Sequence, residues 1–333
     1  HNKVHLADGE SLTFDYLVLA TGAKYNYFGK NAWERYAPGL KSLDDALQIR
    51  ERILLSLEKA ENIKDLEKRK PYLTYVVIGG GPTGVEMAGS IAEIAKRNMM
   101  REYRNFHRNE TTVYLVEAAG GVLNGYPEKL QQSALDALTK MGVQVILNSP
   151  VQEINSQGVQ LKNHFIETPN VIWAAGVSAS EVMNKLGAPQ DRTGRVKVAP
   201  DLSLPDHPDI FVIGDAAYVE NDQGKPLPGI APVALQQGRF LGKMLKNIVG
   251  STTRPAFHYF DKGTMATIGR AKAVADIKGL KLSGFTAWIM WGLIHIFFLI
   301  GFRNRFRVFA EWMWHYITFK RGVRLIAKKE AGG

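Results

Sequence analysis

The chain has 333 residues, enough for two domains, and its content of 45% hydrophobic and 22% charged residues excludes an intrinsically disordered protein. It contains no cysteine, which excludes disulfide bonds, cysteine-ligated iron–sulfur clusters and a redox-active dithiol. The net charge is +10, and +6 of it falls after residue 302, where eight Lys and Arg stand against two acids. The end of the chain is therefore its most basic part.

The start of the chain contains a pattern that returns later. Residues 4–23, VHLADGESLTFDYLVLATGA, hold a V-x-L strand, a polar turn and an apolar strand that ends in Thr-Gly. Residues 159–177, VQLKNHFIETPNVIWAAGV, repeat this order and end in Ala-Gly. The repetition predicts two related parts, of which only the second has a recognisable beginning, at residue 76. The chain also lacks an initiating methionine and a signal pattern, which indicates a fragment or a processed chain.

A helix and then a complete α/β segment are predicted between the two patterns. The residues that follow Ser42, LDDALQIRERILLSLEKAENI, predict a linking helix. Strand and helix then alternate, which predicts a parallel sheet: strand 75–78, a helix from Thr83, a strand ending at Glu117, a helix over 127–141 and strand 143–148. Glu117 lies 33 residues after Gly84, and the segment between them is interpreted as including a long helix through 97–109.

The glycines of this segment carry the clearest chemical signal. Gly79, Gly81 and Gly84 form a G-x-G-x-x-G pattern that follows a strand and opens a helix. Glycines allow a tight turn and a close approach to a pyrophosphate, and the helix N-terminus offers free N–H groups. The pattern predicts dinucleotide binding, and a purely structural glycine turn is the alternative.

Glu117 ends the next strand, where a carboxylate can accept hydrogen bonds from an adenosine ribose. The same charge would repel a 2′-phosphate, so Glu117 favours NADH over NADPH. The alternative interpretation is an acid on the surface at a strand end.

Three further charged residues have both a plain and a functional interpretation. Asp215, in FVIGDAA, follows a buried strand and suits a sugar or ribityl hydroxyl, but it can equally be a helix N-cap. Glu86 lies in the first turn of the helix after the glycines, where the helix dipole alone stabilises an acid. Lys262 is by default a surface lysine. The eight histidines show no metal-ligand spacing, so no metal site is expected.

The stretch 282–302 carries no formal charge and is followed by Arg303, Arg305 and Arg307. Its length permits a membrane span, but its glycines and polar residues dilute its hydrophobicity. Tryptophans and arginines around it favour an interfacial position. We therefore expect a monotopic anchor of two amphipathic helices within 283–333. A single span, a helix pair in a dimer interface and a solvated helix face are the alternatives. Nucleic-acid binding is disfavoured because no recognition module is visible.

Together these blocks resemble the two-dinucleotide-binding flavoproteins, and most closely the type II NADH:quinone oxidoreductases. The resemblance covers nearly the whole chain and rests on LVLATGA, VVIGGGPTGVEMAGSIAE, LVEA, VIWAAGV, IFVIGDAA, APVALQQG and DKGTMATIGR. It implies an α/β fold with two Rossmann-like dinucleotide-binding domains, for FAD and NADH, and a C-terminal amphipathic helical membrane-anchoring region. The implied domains are a partial FAD-binding domain and linker helix (1–70), an NADH-binding domain (71–178), the remainder of the FAD-binding domain (179–252) and a quinone-side and anchor region (253–333).

The resemblance also implies an activity and a set of site residues. A hydride passes from NADH to FAD, and two electrons then reduce a membrane quinone without proton pumping, at the cytoplasmic face of a bacterial inner membrane. The implied cofactor contacts are Thr21, Gly22 and Asp215 for FAD, Gly79, Gly81, Gly84, Glu117 and Gly176 for NADH, and Ala175, Gly214 and Ala234 beside them. The implied reaction-centre residues are Glu86 at the nicotinamide–flavin interface, Gln236 and Gln237 on the quinone side, and Lys262.

Two departures from the family pattern affect these expectations. The first glycine motif, which holds the FAD pyrophosphate, is expected upstream of His1, so residues 1–333 alone are expected to retain FAD poorly. Pro232 stands where some relatives have a glutamine, which puts one quinone contact in doubt.

The missing cysteines exclude the disulfide reductases and sulfide:quinone oxidoreductases of this fold. A soluble ferredoxin reductase-like flavoenzyme and a non-catalytic dinucleotide-binding redox sensor are the alternatives. A homodimer is compatible with each.

Overall fold

The computed structural model describes residues 2–95, 103–247, 254–299 and 301–318. Its helices are α1 (Leu43–Asn62), α2 (Leu66–Arg69), α3 (Pro82–Glu93), α4 (Glu128–Lys140), α5 (Ala231–Asn247), α6 (Phe285–Phe298) and α7 (Phe302–Thr318). Its strands are β1 (Lys3–His5), β2 (Ser11–Thr13), β3 (Leu17–Leu19), β4 (Ala23–Tyr25), β5 (Thr74–Ile78), β6 (Thr112–Val116), β7 (Val143–Ile146), β8 (Glu153–Asn155), β9 (Gly158–Gln160), β10 (Phe165–Glu167), β11 (Asn170–Trp173), β12 (Val177–Ala179), β13 (Val196–Lys197), β14 (Ser203–Leu204), β15 (His207–Val212), β16 (Ala217–Tyr218), β17 (Thr264–Gly269), β18 (Lys272–Ile277) and β19 (Leu280–Gly284).

The chain forms two compact units, and each is assembled from two separate segments. The first unit comprises His1–Asn26 and Val177–Asp261. The second unit comprises Tyr27–Gly176 and Lys262–Gly333. The segments of the two units therefore alternate along the sequence.

The second unit is built around a four-stranded parallel sheet in the order β11-β5-β6-β7. All five residues of β5, TYVVI, are buried, as expected for a parallel strand covered on both faces. Val85, Ile91 and Ala92 of α3 belong to the same core as Leu130 and Leu138 of α4. The prediction of alternating strands and helices is confirmed.

The helix predicted after Ser42 is also confirmed. The Ser42 hydroxyl accepts from the Asp45 N–H at 3.1 Å, and the Asp45 carboxylate accepts from the Ser42 N–H at 2.8 Å. This reciprocal capping box satisfies two N–H groups that would otherwise lack partners. Ile49, Ile53 and Leu57 on one face of α1 then enter the core of the second unit.

The long helix expected through 97–109 is wrong over its described part. Helix α3 ends at Glu93, and residues 103–109 form bends and turns, while 96–102 lie outside the described residues. The rings of Tyr103 and Phe106 stack at 5.0 Å and are buried in the core. The Glu61 carboxylate accepts the backbone N–H groups of Arg104 and Asn105, at 3.0 and 3.1 Å. These contacts with α1 hold the segment in a non-helical conformation.

The repeated pattern of the sequence corresponds to a repeated local arrangement. In the first copy β1 and β2 form an antiparallel hairpin, and β3 then pairs in parallel with β15. In the second copy β9 and β10 form the hairpin, and β11 pairs in parallel with β5. The order of hairpin and parallel strand is thus the same in both.

The first unit combines several small sheets with helix α5. The sheets are ordered β14-β15-β3, β12-β4 and β13-β16. Leu241 and Met244 of α5 pack with Phe211 and Leu202 in one of its cores. The buried strand predicted before Asp215 is present as β15, and the block APVALQQG opens helix α5.

The C-terminal region contains a sheet that the sequence analysis did not predict. Strands β17, β18 and β19 form an antiparallel meander. It packs closely on α3, because a Cβ added at Gly89 would come within 1.5 Å of the Ile268 carbonyl oxygen. Only a glycine therefore allows this approach of helix and strand.

The uncharged stretch 282–302 is divided between elements rather than forming one helix. It begins in β19, turns at Gly284 with φ of +74°, and continues as α6 and the start of α7. Two helices are present as predicted, but α6 has no distinct polar face, since only Thr286 and His295 are polar, and only α7 is amphipathic. In the ranges that the structure describes, no helix combines the length and the apolar character of a membrane span. The last part of the predicted anchor, 319–333, lies outside those ranges.

Candidate functional site

The predicted dinucleotide-binding residues meet at the carboxyl edge of the parallel sheet in the second unit. Gly79 follows β5, Glu117 follows β6 and Ala175 lies two residues after β11, and these strands are neighbours. Hydrogen bonds continue the ladder past the strand ends, from Gly79 N–H to Val116 at 2.8 Å and from Ala174 N–H to Ile78 at 2.7 Å. The sheet therefore brings these positions together.

The glycine turn is tight enough to require glycine at two positions. Gly79 has φ of +109°, a conformation that residues with a side chain rarely adopt. A Cβ at Gly84 would lie 1.7 Å from the Gly79 carbonyl oxygen. The first and last glycines of the pattern therefore serve the turn itself and the packing of helix against strand.

The middle glycine has a different environment. Gly81 is the N-cap of α3 with φ of −72°, and a Cβ added there would meet nothing within 4 Å. No side chain caps the helix, and Pro82 occupies its first position. The first-turn N–H groups of a helix have no intrahelical acceptors. This open space in front of them fits the pyrophosphate of a dinucleotide, which a helix N-terminus stabilises.

Glu117 lies beside this opening and also organises it. Its Oε2 accepts the Gly80 N–H, and its Oε1 accepts the Ala119 N–H at 2.7 Å. A Cβ at Gly80 would lie 2.9 Å from Oε2, so the carboxylate sits directly against the turn. The sequence suggested a ribose ligand, and the structure adds that Glu117 ties the turn to the end of β6.

Gly176 is covered by an aromatic ring that the sequence analysis did not single out. A Cβ at Gly176 would come within 2.9 Å of Phe28 Cζ. Phe28 is 65% exposed, has φ of +51° and contacts Trp173 edge-on at 6.1 Å. An exposed phenylalanine beside the sheet edge suits a planar ring ligand. No local pattern in the sequence marks it, since 148 positions separate the two residues.

Glu86 is the fifth residue of α3, just beyond the first turn, and faces β17. Its Oε1 accepts the N–H and the hydroxyl of Thr267, both at 3.1 Å. Burial raises the pKa of the Glu86 carboxyl, while the bonds from Thr267 and the nearby His295 oppose that rise. Burial, with a further contribution from Glu86, raises the pKa of Tyr126 to about 12. The sequence predicted no metal-ligand role for the histidines and gave no signal for Thr267 or Tyr126, which come from distant elements.

The predicted FAD-binding residues meet at the corresponding edge of the first unit. Strands β3 and β15 are parallel, with Leu19 opposite Val212, so Thr21-Gly22 and Gly214-Asp215 leave the sheet side by side. Gly22 and Gly214 have φ of +66° and +72°. Asp215 lies close to Gly229, where an added Cβ would be 3.4 Å from its carboxyl group. Two glycine turns and a carboxylate at one parallel edge suit a hydroxyl-bearing cofactor chain.

The two predicted glutamines have defined partners within the first unit. Gln237 is buried, and its Oε1 accepts the Gly214 N–H at 2.7 Å. Ala234 lies on the same helix, 3.5 Å from a Cβ added at Gly214. Gln236 exchanges two hydrogen bonds of 2.9 Å with the backbone of Phe260. Gln237 thus supports the turn before Asp215, and Gln236 fixes the segment that ends the unit.

Lys262 begins the second segment of the second unit. Its Nζ lies 5.0 Å from the centroid of the Phe298 ring, at the end of α6. A cation over an aromatic face is attracted by the ring quadrupole. This lysine therefore contacts the end of α6 rather than extending into solvent alone.

Comparison with protein families assigns both parts of the chain. Residues 1–238 match the model of the pyridine nucleotide-disulphide oxidoreductases. Residues 261–321 match the model of the NDH2 C-terminal domain. The second match covers the meander, α6 and α7.

Individual relatives agree with these matches. The type II NADH:quinone oxidoreductases Ndh and NdhA of Mycobacterium tuberculosis are each 39% identical over 330 residues. The alignments cover 96% and 95% of this chain and 70% and 69% of those proteins. The solved structure of NDH2 from Plasmodium falciparum in complex with NADH has a TM-score of 0.86, 22% identity, and coverage of 98% of this chain and 82% of that one. At that identity the structural match describes the fold.

Proposed function

The chain belongs to the pyridine nucleotide-disulphide oxidoreductases and, among them, to the type II NADH:quinone oxidoreductases, and we propose that it oxidises NADH and reduces a membrane quinone through FAD without pumping protons. The observation that carries the proposal is the open glycine turn at the start of α3, with Glu117 beside it. When bound, FAD accepts a hydride from NADH and delivers two electrons to the quinone.

The second unit holds NADH in this proposal. The N-terminus of α3 binds the pyrophosphate at Gly81, and the Glu117 carboxylate accepts hydrogen bonds from the adenosine ribose. Ala175 and Gly176 line the path of the remaining half of the dinucleotide, with Phe28 as its wall. Because Glu117 is an anion, it disfavours a 2′-phosphate and selects NADH.

The first unit holds FAD through its parallel edge. Thr21 and Gly22 offer backbone groups, and Asp215 accepts hydrogen bonds from ribityl or ribose hydroxyls. Gln237 and Ala234 keep the Gly214 turn in place, so they act on the cofactor by positioning. Gln236 and Lys262 are assigned to the quinone side of the reaction.

Glu86 is assigned to the reaction centre as a group that can carry a proton. Burial raises the pKa of this carboxyl, which brings the pKa closer to neutral pH, where a group can both take up and release a proton. Thr267 fixes the orientation of this carboxyl through two hydrogen bonds. Quinone reduction to a quinol consumes two protons, and Glu86 is proposed to deliver one of them.

The C-terminal helices are proposed to hold the protein at a membrane surface. Helices α6 and α7 are joined by the stacked rings of Trp291 and Trp312, at 5.4 Å and 7°. They carry many exposed apolar side chains: Phe285, Ile289, Leu293, Phe297, Phe298, Phe302, Phe306, Phe309, Trp312, Met313 and Trp314. Large exposed apolar patches mark interaction sites, and the arginines among them suit anionic headgroups. This arrangement supports a monotopic position in one leaflet.

The proposal is tested by steady-state oxidation of NADH with a short-chain quinone, using protein loaded with FAD. We expect a quinone-dependent rate well above that of free FAD at the same concentration, and bleaching of the flavin absorbance by NADH without quinone. A rate equal to that of free FAD would contradict the proposal. Flavin bleaching without quinone turnover would point to a non-catalytic redox sensor instead.

A further inference from the structure

The second unit contains a cavity at the amino ends of β5 and β11, whereas the glycine turn lies at the carboxyl end of the sheet. Its volume is about 380 Å³, within the range of small-molecule sites. Side chains of α1 form one wall, and Tyr72 and Asn170 lie at its floor. The cavity is thus separate from the proposed NADH site, although both use the same sheet.

Arg52 dominates the charge of this cavity. It lies half-buried on α1 and donates from Nη1 to the Tyr36 carbonyl oxygen at 2.6 Å. Within the described ranges no carboxylate lies at ion-pair distance from it, and burial lowers the pKa of its guanidinium. A cation taken partly out of water without a counter-charge is costly. An anion in the cavity would remove this cost.

Two further cations stand beside the cavity against aromatic rings. The Arg35 guanidinium lies 4.4 Å from the centroid of Tyr36, and Lys59 Nζ lies 5.7 Å from that of Tyr72. Glu51 is the acid among the lining residues, so three cations face one carboxylate. The positive excess suits a ligand with two negative charges.

The floor is a rigid polar network centred on Asn170. This buried residue donates from Nδ2 to Ser56 Oγ at 2.8 Å, to the Tyr72 carbonyl at 3.2 Å and to the Thr74 carbonyl at 3.1 Å. Ser56 Oγ in turn donates to the Tyr72 carbonyl at 2.8 Å. Because these groups fix one another, the floor is preorganised before a ligand arrives.

Nearer the opening, the lining offers groups for hydroxyls. The side-chain NH₂ groups of Gln48 and Asn155 have no hydrogen-bond partner in the described part of the chain. The Glu51 carboxylate is likewise without a hydrogen-bond partner there. Donors and an acceptor are therefore both available for a hydroxyl-bearing ligand.

We propose that this cavity binds a small phosphorylated metabolite that carries hydroxyl groups. Arg52 binds the phosphoryl group through its planar fork, and Arg35 and Lys59 add positive charge at the rim. Glu51 accepts hydrogen bonds from the hydroxyls. The cavity is separate from the site proposed for NADH oxidation, so this proposal can be tested independently of the proposed function.

Calorimetric titration of the FAD-loaded protein with ribose 5-phosphate tests the proposal, at saturating NAD⁺ to keep the dinucleotide site occupied. We expect one site, with ribose 5-phosphate bound at least about tenfold more tightly than inorganic phosphate because of its hydroxyls. Arg52→Gln should weaken binding by about tenfold or more, and Lys59→Gln by roughly threefold. Lys64→Gln, at an exposed lysine outside the cavity, is the matched control and should leave binding unchanged.

Three results would overturn the proposal. The first is the absence of saturable binding of ribose 5-phosphate up to about 10 mM. The second is binding that neither Arg52→Gln nor Lys59→Gln weakens. The third is tighter binding of malonate than of ribose 5-phosphate, which would assign the cavity to dicarboxylates. Thermal unfolding of each variant accompanies the titrations. If Arg52→Gln lowers the unfolding temperature, the Lys59→Gln variant at the exposed rim decides the result.

Discussion

Replacing Gly84 and Gly81 separately by alanine should divide the two functions of the glycine turn. At Gly84 the new methyl carbon would lie 1.7 Å from the Gly79 carbonyl oxygen, whereas the van der Waals contact distance of non-bonded heavy atoms is ~3.5 Å. The obstacle is backbone, so α3 or the turn must shift. Overpacking of this kind costs roughly 1–3 kcal/mol, and a backbone obstacle places Gly84→Ala at about 3 kcal/mol.

Gly81→Ala makes the same chemical change in open space. A Cβ there meets nothing within 4 Å, and φ of −72° is allowed for alanine. We expect a loss of stability of only about 0.5–1 kcal/mol, because glycine is preferred to alanine at an N-cap. The methyl group would instead occupy the space through which a pyrophosphate approaches, so NADH affinity should fall about tenfold or more.

Thermal unfolding followed by circular dichroism, and NADH titration of each folded variant, measure the two effects. For a unit of this size about 3 kcal/mol corresponds to a decrease of roughly 6–12 °C in the unfolding midpoint. Equal midpoints for the Gly84→Ala and Gly81→Ala proteins would refute the steric argument. An unchanged NADH dissociation constant in Gly81→Ala would refute the assignment of the open space to the dinucleotide.

Three other variants test the remaining assignments. Glu117→Gln should narrow the preference for NADH over NADPH by about 1–2 kcal/mol, measured as the ratio of kcat/KM values, and an unchanged ratio would exclude a role in selectivity. Burial raises the pKa of Glu86, so the folded state loses stability as the pH rises from the pKa of the unfolded chain, near 4.5, through the higher pKa of the folded state. Glu86→Gln should therefore unfold at a higher temperature than the parent at pH 7 but not at pH 4. An equal rise of the unfolding temperature at both pH values would contradict this. Phe302→Glu should weaken cosedimentation with vesicles of anionic lipid by about tenfold, whereas Leu66→Glu, at a comparably exposed position on α2, should not, and equal losses would remove the anchor from α7.

The parallel sheet and its glycine turn were predictable because they are written locally. The run TYVVI is apolar without interruption, as a strand buried on both faces requires. Gly79 and Gly84 follow at the spacing that the turn geometry demands. Ser42 and Asp45 likewise predict the start of α1, because the residues that form its capping box are only three positions apart.

The rest of the site depends on contacts between distant parts of the chain, which leave no periodic signal. Thr267 donates hydrogen bonds to Glu86 although 181 positions separate them, and Phe28, which covers Gly176, lies in a loop. The non-helical course of 103–109 depends on Glu61, on another helix. The break at Gly284 was also missed, because the uncharged stretch runs across it from the end of β19 into α6.

The interleaving of the two units has a consequence for biosynthesis. During synthesis residues 1–26 emerge from the ribosome well before Val177–Asp261, which must follow before the first unit is complete. The second unit in turn waits for β17, whose Ile268 covers the Gly89 face of α3 and whose Thr267 binds Glu86. A nascent chain that stalls before residue 264 would therefore expose the apolar flank of α3, which is the kind of surface that chaperones recognise.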